Sequence, residues 1–490
     1  MKPAILAIDQ GTTSTRAIVF DETMAMIATS QQDLRQIYPA GGWVEHDAEE
    51  IWRATRHTTR EALAQAAQKG FAAQGLGITN QRETVVVWDR ESGRPIHNAI
   101  VWQDRRTTPQ CDRLRADGAE AMIAERTGLL LDPYFSATKM RWMLDHHDTV
   151  RGASERGCLA FGTVESWLVF KLAGGTHVSD ASNASRTLLL PLDEGQFDEG
   201  LCDLFGVPRN SLPRVVDTHG ALAECSSEWF GRTIPICGLV GDQQSATIGQ
   251  ACLAPGETKA TYGTGAFVLT NNGAAIPRST HRLLGAVLCQ TNGKRIYAIE
   301  GAAFVAGSLI QWLRDSLGLI ASAAETEELA RSIPDSGEVV IVPALAGLGA
   351  PHWLPQARGV IAGLSFASGR AQLARAALEA MAHQTHDLAA AFAADGAPWS
   401  MLRIDGGMAA NDWMAQDLAD MLGIAVERPD FVETTALGAA FCAAVGAGLY
   451  PTLDDAAQAM RGAARCFSPR IDEAARAERL VRWRKALAAV

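Results

Sequence analysis

The sequence of 490 residues lacks the features that mark several large classes of protein. Its nine cysteines are scattered and never form a CxxC pair, which argues against a disulfide framework and against a zinc site. No block of Lys and Arg is present and the net charge is −11, so we predict no nucleic-acid partner and no membrane-surface partner. No apolar run near the N-terminus suits a signal peptide or a membrane span, and we predict a cytoplasmic protein.

The composition is that of a folded protein with more than one domain. Hydrophobic residues make up 47% and charged residues 20% of the chain, which leaves enough apolar area to offset chain entropy. Val/Ile-rich segments alternate with Ala/Leu-rich segments in both halves, and this alternation is typical of α/β proteins. The clearest predicted helices cover residues 47–69, 371–393 and 411–422; the last begins at Asn411 and stops at Gly423.

Two similar segments, 4–14 and 257–267, each place Gly and Thr between β-prone flanks. Each predicts a hairpin with a tight polar turn. Two such hairpins about half the chain apart suggest two lobes that face one ligand. We therefore predict an N-terminal lobe over residues 1–250 and a C-terminal lobe over 251–490, each contributing one hairpin.

The first turn, residues 11–15, is neither a Walker loop nor a GxGxxG motif, because it lacks the required lysine and glycines. Its backbone amides and hydroxyls are neutral donors suited to phosphate oxygens, and Arg16 adds one positive charge. The hydroxyl donors are Thr12, Thr13 and Ser14. Asp9, at the end of the preceding strand, is a candidate ligand of Mg²⁺. The alternative is a Thr-rich hairpin turn followed by an exposed arginine.

The apolar run 234–240 is followed at once by Gly241, Asp242 and Gln243. This order puts a carboxylate and an amide where a buried strand ends, which is where open α/β sheets collect their ligands. We predict that Asp242 is the catalytic base and, with Asp9, a candidate ligand of Mg²⁺.

Two further glycine turns, at Thr264-Gly265 and at 405–407, also follow β-prone segments. Glycine lets a flat ring approach the backbone closely, so Gly407 is a candidate floor for an adenine pocket. The alternative for each turn is an ordinary connection between a strand and the next element.

A polar and aromatic cluster is a candidate site for a small polyhydroxylated substrate. Such a substrate needs convergent donors and acceptors for its hydroxyls and an apolar wall for its carbon chain. The candidate residues are Arg82, Glu83, Trp102, Tyr134, Asp242, Gln243 and Phe267. The alternative is that Arg82 and Glu83 form a solvated surface pair and that Trp102 is an ordinary core aromatic.

Taken together, these motifs resemble the carbohydrate kinase family that includes xylulose and gluconate kinases. The resemblance is carried by DQGTTSTR (9–16), ITNQRET (78–84), VWQDRRT (101–107), GDQQ (241–244), TYGTG (261–265) and DGG (405–407). It extends over nearly the whole chain. It implies two actin-like, ribonuclease H-like ATPase lobes with a catalytic cleft between them.

The resemblance also implies an activity: ATP- and Mg²⁺-dependent phosphorylation of glycerol to sn-glycerol 3-phosphate, the first step of glycerol catabolism. Transfer would be direct and in line, with Asp242 as general base. The family's polyol contacts fall on the substrate cluster given above. Its nucleotide contacts fall on Thr12, Thr13, Ser14, Arg16, Thr264, Gly307, Gln311, Gly407 and Asn411. A homo-oligomer, dimer or tetramer, is expected.

One departure from the family concerns regulation. Residues 229–234 lack the glycine-rich insertion that forms the fructose 1,6-bisphosphate loop in some relatives, so we do not expect inhibition by that effector. Two other functions remain open: a kinase for another small polyol or sugar, and, more remotely, an actin-like or chaperone ATPase that acts on a protein partner.

Overall fold

The computed structural model describes residues 1–431, 433–460 and 462–490. Over these residues the strands are β1 (Lys2–Gln10), β2 (Ser14–Asp21), β3 (Met26–Asp33), β4 (Glu45–His46), β5 (Phe71–Asn80), β6 (Val85–Asp89), β7 (Arg94–Ile100), β8 (Leu159–Gly162), β9 (Val178–Asp180), β10 (Arg214–Val216), β11 (His219–Cys225), β12 (Ile234–Gly241), β13 (Thr258–Tyr262), β14 (Ala266–Gly273), β15 (Leu284–Thr291), β16 (Lys294–Ala303), β17 (Val340–Val342), β18 (Val360–Ala362), β19 (Met401–Asp405), β20 (Ala425–Pro429) and β21 (Ala464–Phe467).

The α-helices over the same residues are α1 (Ala48–Gln68), α2 (Thr108–Ala116), α3 (Glu120–Thr127), α4 (Ser136–His146), α5 (Asp148–Glu155), α6 (Val164–Leu172), α7 (Ala181–Ala184), α8 (Glu199–Phe205), α9 (Ser227–Phe230), α10 (Asp242–Gly249), α11 (Gly307–Asp315), α12 (Glu325–Arg331), α13 (Arg370–Ala394), α14 (Asp412–Leu422), α15 (Thr434–Gly446), α16 (Leu453–Ala459) and α17 (Glu473–Leu487). Two short 3₁₀ segments cover Arg209–Ser211 and Gly407–Ala410.

The first large sheet positions the residues predicted around Asp242. In the described part of the chain its strand order is β11-β12-β5-β1-β2-β3. Strands β12, β5 and β1 run parallel and are in register, with Thr79 of β5 lying between Asp9 of β1 and Val240 of β12. Because parallel strands end at the same edge, Asp9, the segment after Asn80 and Asp242 meet there.

The second large sheet carries the other glycine turns. Over the described residues its order is β15-β16-β14-β13-β19-β20-β21. Strands β13 and β14 form an antiparallel hairpin whose turn is 263–265, and β13 runs parallel to β19, which ends at Asp405. The two predicted hairpins are confirmed, since β1 and β2 also pair antiparallel around the 11–13 turn.

The helix α15, from the C-terminal part of the chain, packs against β1, β5 and β12 of the first sheet and against α10. Two glycines make this close packing possible. A Cβ on Gly77 would lie 2.2 Å from the carbonyl oxygen of Ala439, and one on Gly438 would lie 1.8 Å from that of Ser245. Helix α15 therefore packs against the first sheet although it follows strands β13 to β16, β19 and β20 of the second sheet along the chain. The predicted division of the chain between residues 250 and 251 stays a prediction.

The predicted helices agree with the observed ones. The regions 47–69, 371–393 and 411–422 correspond to α1, α13 and α14, with ends that differ by no more than one residue. The Asn411 side chain accepts a hydrogen bond from the backbone N–H of Met414 at 2.9 Å, and Gly423 ends the helix with φ +71°. Among the described residues, no helix is both long enough and apolar enough to cross a membrane.

Candidate active site

Asp242 is the first residue of α10, at the point where β12 ends. Its carboxylate lies 3.1 Å from Nε of Arg82, and its side chain is 26% exposed. The preceding N–H, of Gly241, donates to Oγ of Ser182 at 2.9 Å, which fixes the end of the strand. Burial raises the pKa of Asp242 to about 6, against the opposing effect of Arg82. The arrangement is a partly accessible carboxylate of raised proton affinity.

Arg82 is buried and is held by a glutamate from the second sheet. Its Nη1 and Nη2 atoms donate to the two carboxylate oxygens of Glu300 at 2.6 and 2.8 Å. Nη2 also lies 3.4 Å from the hydroxyl oxygen of Tyr134. Sequence reasoning missed Glu300; the signal available was a lone carboxylate within the apolar segment of β16, Ile299 to Ala303.

Glu83 is also buried, and it makes its contact with another arginine that was assigned no role. Its Oε1 accepts from Nε of Arg186 at 2.6 Å, and Nη2 of Arg186 lies 3.3 Å from Glu300. Arg82 and Glu83 are 2% and 1% exposed, so the alternative of a solvated surface pair is wrong. Glu83 has φ +61°, a conformation that non-glycine residues seldom adopt and that is found at functional sites.

Three aromatic side chains stand beside these charges. The Trp102 ring centroid lies 5.7 Å from that of Tyr134 and 6.0 Å from that of Phe267, both in edge-to-face arrangements. The indole N–H of Trp102 donates to the hydroxyl of Thr12 at 2.9 Å. Trp102 is partly buried. Through its bond to Thr12 it connects the predicted aromatic wall of the substrate site with the first glycine turn.

Gln243 is held by a buried lysine of β13. Nζ of Lys259 donates to the amide oxygen of Gln243 at 2.5 Å and to the hydroxyl of Thr261 at 2.9 Å. Burial lowers the pKa of Lys259 to about 8, although the nearby Asp405 carboxylate opposes this. Sequence reasoning gave Lys259 no role, because nothing in its neighbourhood along the chain points to Gln243.

Two carboxylates, Asp9 and Asp242, are near enough to influence each other. Burial raises the pKa of Asp9 to about 7; Arg16 opposes the rise and Asp242 adds to it. A pair of carboxylates of this kind fits Mg²⁺, which is commonly bound by one or two carboxylates together with phosphate oxygens and water. In the described ranges, no group of three or more His, Cys, Asp or Glu side chains is arranged to hold a metal.

Arg16 makes contacts within the protein. Its Nε and Nη2 donate to the side-chain oxygen of Gln31 at 3.0 and 2.7 Å, and its Nη1 is paired with Glu433. The Arg16 side chain is 25% exposed, so the alternative of a hairpin turn followed by an exposed arginine holds for the turn and only in part for the arginine. Any contact of Arg16 with a phosphate would have to compete with Glu433.

A cavity of about 450 Å³ lies beside the second glycine turn, a size typical of small-molecule sites. Five of the predicted nucleotide residues line it together: Thr264, Gly307, Gln311, Gly407 and Asn411. A Cβ on Gly407 would meet no atom within 4 Å, so a larger side chain there would enter the cavity. The remaining four, on the first hairpin, lie outside this cavity's lining.

These features define a class of protein: two mixed α/β lobes, with a cavity of small-molecule size in the second and a buried polar cluster suited to a polyol, to which both large sheets contribute residues. The chain matches the model of the FGGY family of carbohydrate kinases, the N-terminal domain over residues 4–249 and the C-terminal domain over 258–447. The chain belongs to this family. The predictions of fold class and family are therefore confirmed.

Within this family, the chain is similar to individual glycerol kinases over nearly its whole length. The chain is 53% identical to a glycerol kinase from Rhodospirillum centenum over 487 residues, covering 99% of this chain and 98% of that one. It is 54% identical over 455 residues to a glycerol kinase from Rhodospirillum rubrum, covering 92% of each. Among solved structures, Plasmodium falciparum glycerol kinase with ADP superposes with a TM-score of 0.93 at 33% identity, covering 100% of this chain and 98% of that one.

Proposed function

We propose that the protein transfers the terminal phosphoryl group of ATP to a primary hydroxyl of glycerol, giving sn-glycerol 3-phosphate and ADP. The similarity to glycerol kinases at 53% identity over nearly the full length supports this substrate. The observation that carries the proposal is the position of Asp242, at an accessible strand end and 3.1 Å from the buried guanidinium of Arg82.

Glycerol binding is assigned to the buried charges and their aromatic wall. Arg82 and Glu83 would orient two hydroxyls, with Tyr134 and Gln243 as further polar partners. The faces of Trp102 and Phe267 would cover the carbon chain. A small triol suits this site because its hydroxyls replace water at groups that would be costly to leave unpaired.

Asp242 is assigned the role of general base. A carboxylate with a pKa of about 6 can accept a proton from the attacking hydroxyl while remaining largely ionised at neutral pH. Phosphoryl transfer needs little covalent help, so positioning of the hydroxyl and stabilisation of charge supply most of the catalysis. Backbone amides of the two glycine turns are the proposed donors to the transferring group.

Asp9 and Asp242 are the proposed holders of Mg²⁺, directly or through water. When bound, this ion neutralises the charge of the phosphates. On the protein side, Asp9 lies on β1 and Asp242 follows β12, with only β5 between these strands, so both residues lie at the same edge of the first sheet.

The nucleotide is assigned to the cavity beside the second turn and to the hydroxyls of the first. Gly407 would lie against the adenine ring, and Asn411 would border it at the start of α14. The hydroxyls of Thr12, Thr13 and Ser14 would contact phosphate oxygens. For Arg16 to join them, its guanidinium would have to exchange Glu433 for a phosphate.

A substrate panel tests this proposal. Purified protein with MgATP and one of glycerol, erythritol or xylulose is followed by coupled ADP detection. We expect the highest kcat/KM with glycerol, because larger substrates need more room beyond Trp102 and Phe267. A higher kcat/KM with erythritol or xylulose would show that glycerol is not the preferred substrate. ATP hydrolysis without any polyol would favour an actin-like ATPase.

A further inference from the structure

Arg82 has five N–H donors, and most of them are already used in the protein. Nη1 donates to Glu300 and lies 3.3 Å from the amide oxygen of Gln244, while Nε faces Asp242. Nη2 donates to Glu300, and its remaining contact is the long one of 3.4 Å to Tyr134. The contacts to Gln244 and Tyr134 are both long, and the longer of the two, on Nη2, marks the donor that we assign to a ligand hydroxyl.

The direction of that donor is set by Glu300. The two short bonds between Glu300 and Arg82 form a bidentate pair, which fixes the plane of the guanidinium as well as its position. Glu300 is fully buried. Burial raises the pKa of Glu300, but Arg186 and Arg82 outweigh it and hold the pKa at about 2. Glu300 is thus charged at every physiological pH.

Glu300 also comes from a different sheet than the side chain it holds. It lies on β16 of the second sheet, whereas Arg82 follows β5 of the first, and the two residues are 218 positions apart. Arg186, which holds Glu83, completes the group by contacting Glu300 at 3.3 Å. One carboxylate therefore fixes Arg82 directly and Glu83 through Arg186.

We propose that Glu300 is the positioning residue of the polyol site: from the second sheet, it orients the guanidinium of Arg82 so that one N–H faces the substrate hydroxyl. This inference rests on the proposed function, since it assigns Arg82 to the substrate. Glu300 itself is not expected to contact the substrate, because it is fully buried and each of its oxygens already accepts from a guanidinium group.

The test is Glu300→Gln, with glycerol KM, ATP KM and kcat measured separately. The neutral amide cannot accept from both arginines in the bidentate geometry, so Arg82 loses its fixed orientation. We expect glycerol KM to rise by at least about tenfold, from loss of a well-directed charge-assisted hydrogen bond, while ATP KM stays within about twofold. Glu300→Asp keeps the charge on a shorter side chain, and we expect an intermediate glycerol KM.

Glu379→Gln is the matched control. Glu379 is another buried glutamate, 6% exposed, and lies on α13. It pairs with Arg375 of the same helix at 3.0 Å and accepts a hydrogen bond from the hydroxyl of Ser336 at 2.7 Å. Breaking this pair removes the same chemical group elsewhere in the second lobe. We expect Glu379→Gln to lower Tm by about as much as Glu300→Gln does, and to leave glycerol KM and ATP KM unchanged.

The outcomes separate the inference from the function on which it rests. A wild-type protein that does not phosphorylate glycerol overturns the proposed function and the inference with it. An active wild type whose Glu300 variants keep the wild-type glycerol KM, or raise both KM values equally, overturns the inference alone. If Glu300→Gln does not fold, Glu300→Asp supplies the same comparison, and a glycerol KM unchanged in that variant overturns the inference.

Discussion

Replacing Asp242 by asparagine removes the proposed base and leaves the shape of the site nearly unchanged. The amide is as large as the carboxylate, and its oxygen can still accept from Nε of Arg82, 3.1 Å away in the native protein. We therefore expect the substitution to lower kcat much more than it lowers the affinity for glycerol.

The expected losses in glycerol affinity and in turnover differ in size. A hydrogen bond to a charged group contributes about 1.5–3 kcal/mol and a neutral one about 0.5–1.5 kcal/mol, so glycerol binding should weaken by about 1–1.5 kcal/mol, or roughly five- to twelvefold. Loss of a general base lowers the rate by about 10²- to 10⁴-fold, equivalent to about 3–5 kcal/mol of transition-state stabilisation.

The assay measures kcat by coupled ADP detection and glycerol affinity by calorimetry on the same preparation. Asp217→Asn serves as control, since Asp217 caps the turn between β15 and β16 through the N–H groups of Asn292 and Gly293. The control should keep wild-type kcat. If Asp242→Asn retains kcat within tenfold of the wild type, the assignment of Asp242 as base is wrong.

Three further changes address other parts of the molecule. Gly407→Leu places a side chain in the nucleotide cavity, and we expect ATP KM to rise by at least about tenfold with glycerol KM unchanged, as measured by initial rates. Lys259→Met removes the donor that holds the Gln243 amide, so glycerol KM should rise by about tenfold in the same assay while ATP KM is kept. Trp483→Ala empties a buried position of α17 and removes the indole bond to Asp387; urea titration should show a loss of about 3–5 kcal/mol in unfolding free energy, with both KM values unchanged.

Local signals in the sequence were enough for the framework of the fold. The hairpins around residues 11–13 and 263–265 follow from Gly and Thr between β-prone flanks, and α14 follows from a cap at each end. Packing between distant segments could not be predicted in this way. The close approach of α15 to the first sheet depends on Gly77 meeting Ala439, and neither residue identifies the other along the chain.

In the candidate site, too, residues with a local signal in the sequence were predicted and residues defined by distant partners were not. Asp242 and Gln243 were found because a strand end directly precedes them, and Arg82 because it stands among other polar residues. Glu300 and Lys259 were missed because their partners, Arg82 and Gln243, lie 218 and 16 positions away on other elements and meet them only in the folded chain. The engagement of Arg16 by Glu433, 417 positions away, was unforeseen for the same reason.

The most direct test of the account is to identify the product formed from glycerol and MgATP by phosphorus NMR, with mass spectrometry of the same mixture. The account predicts one new phosphomonoester, glycerol phosphorylated at a primary hydroxyl, in an amount equal to the ADP released. ADP accompanied by inorganic phosphate, with no phosphorylated glycerol, would contradict it.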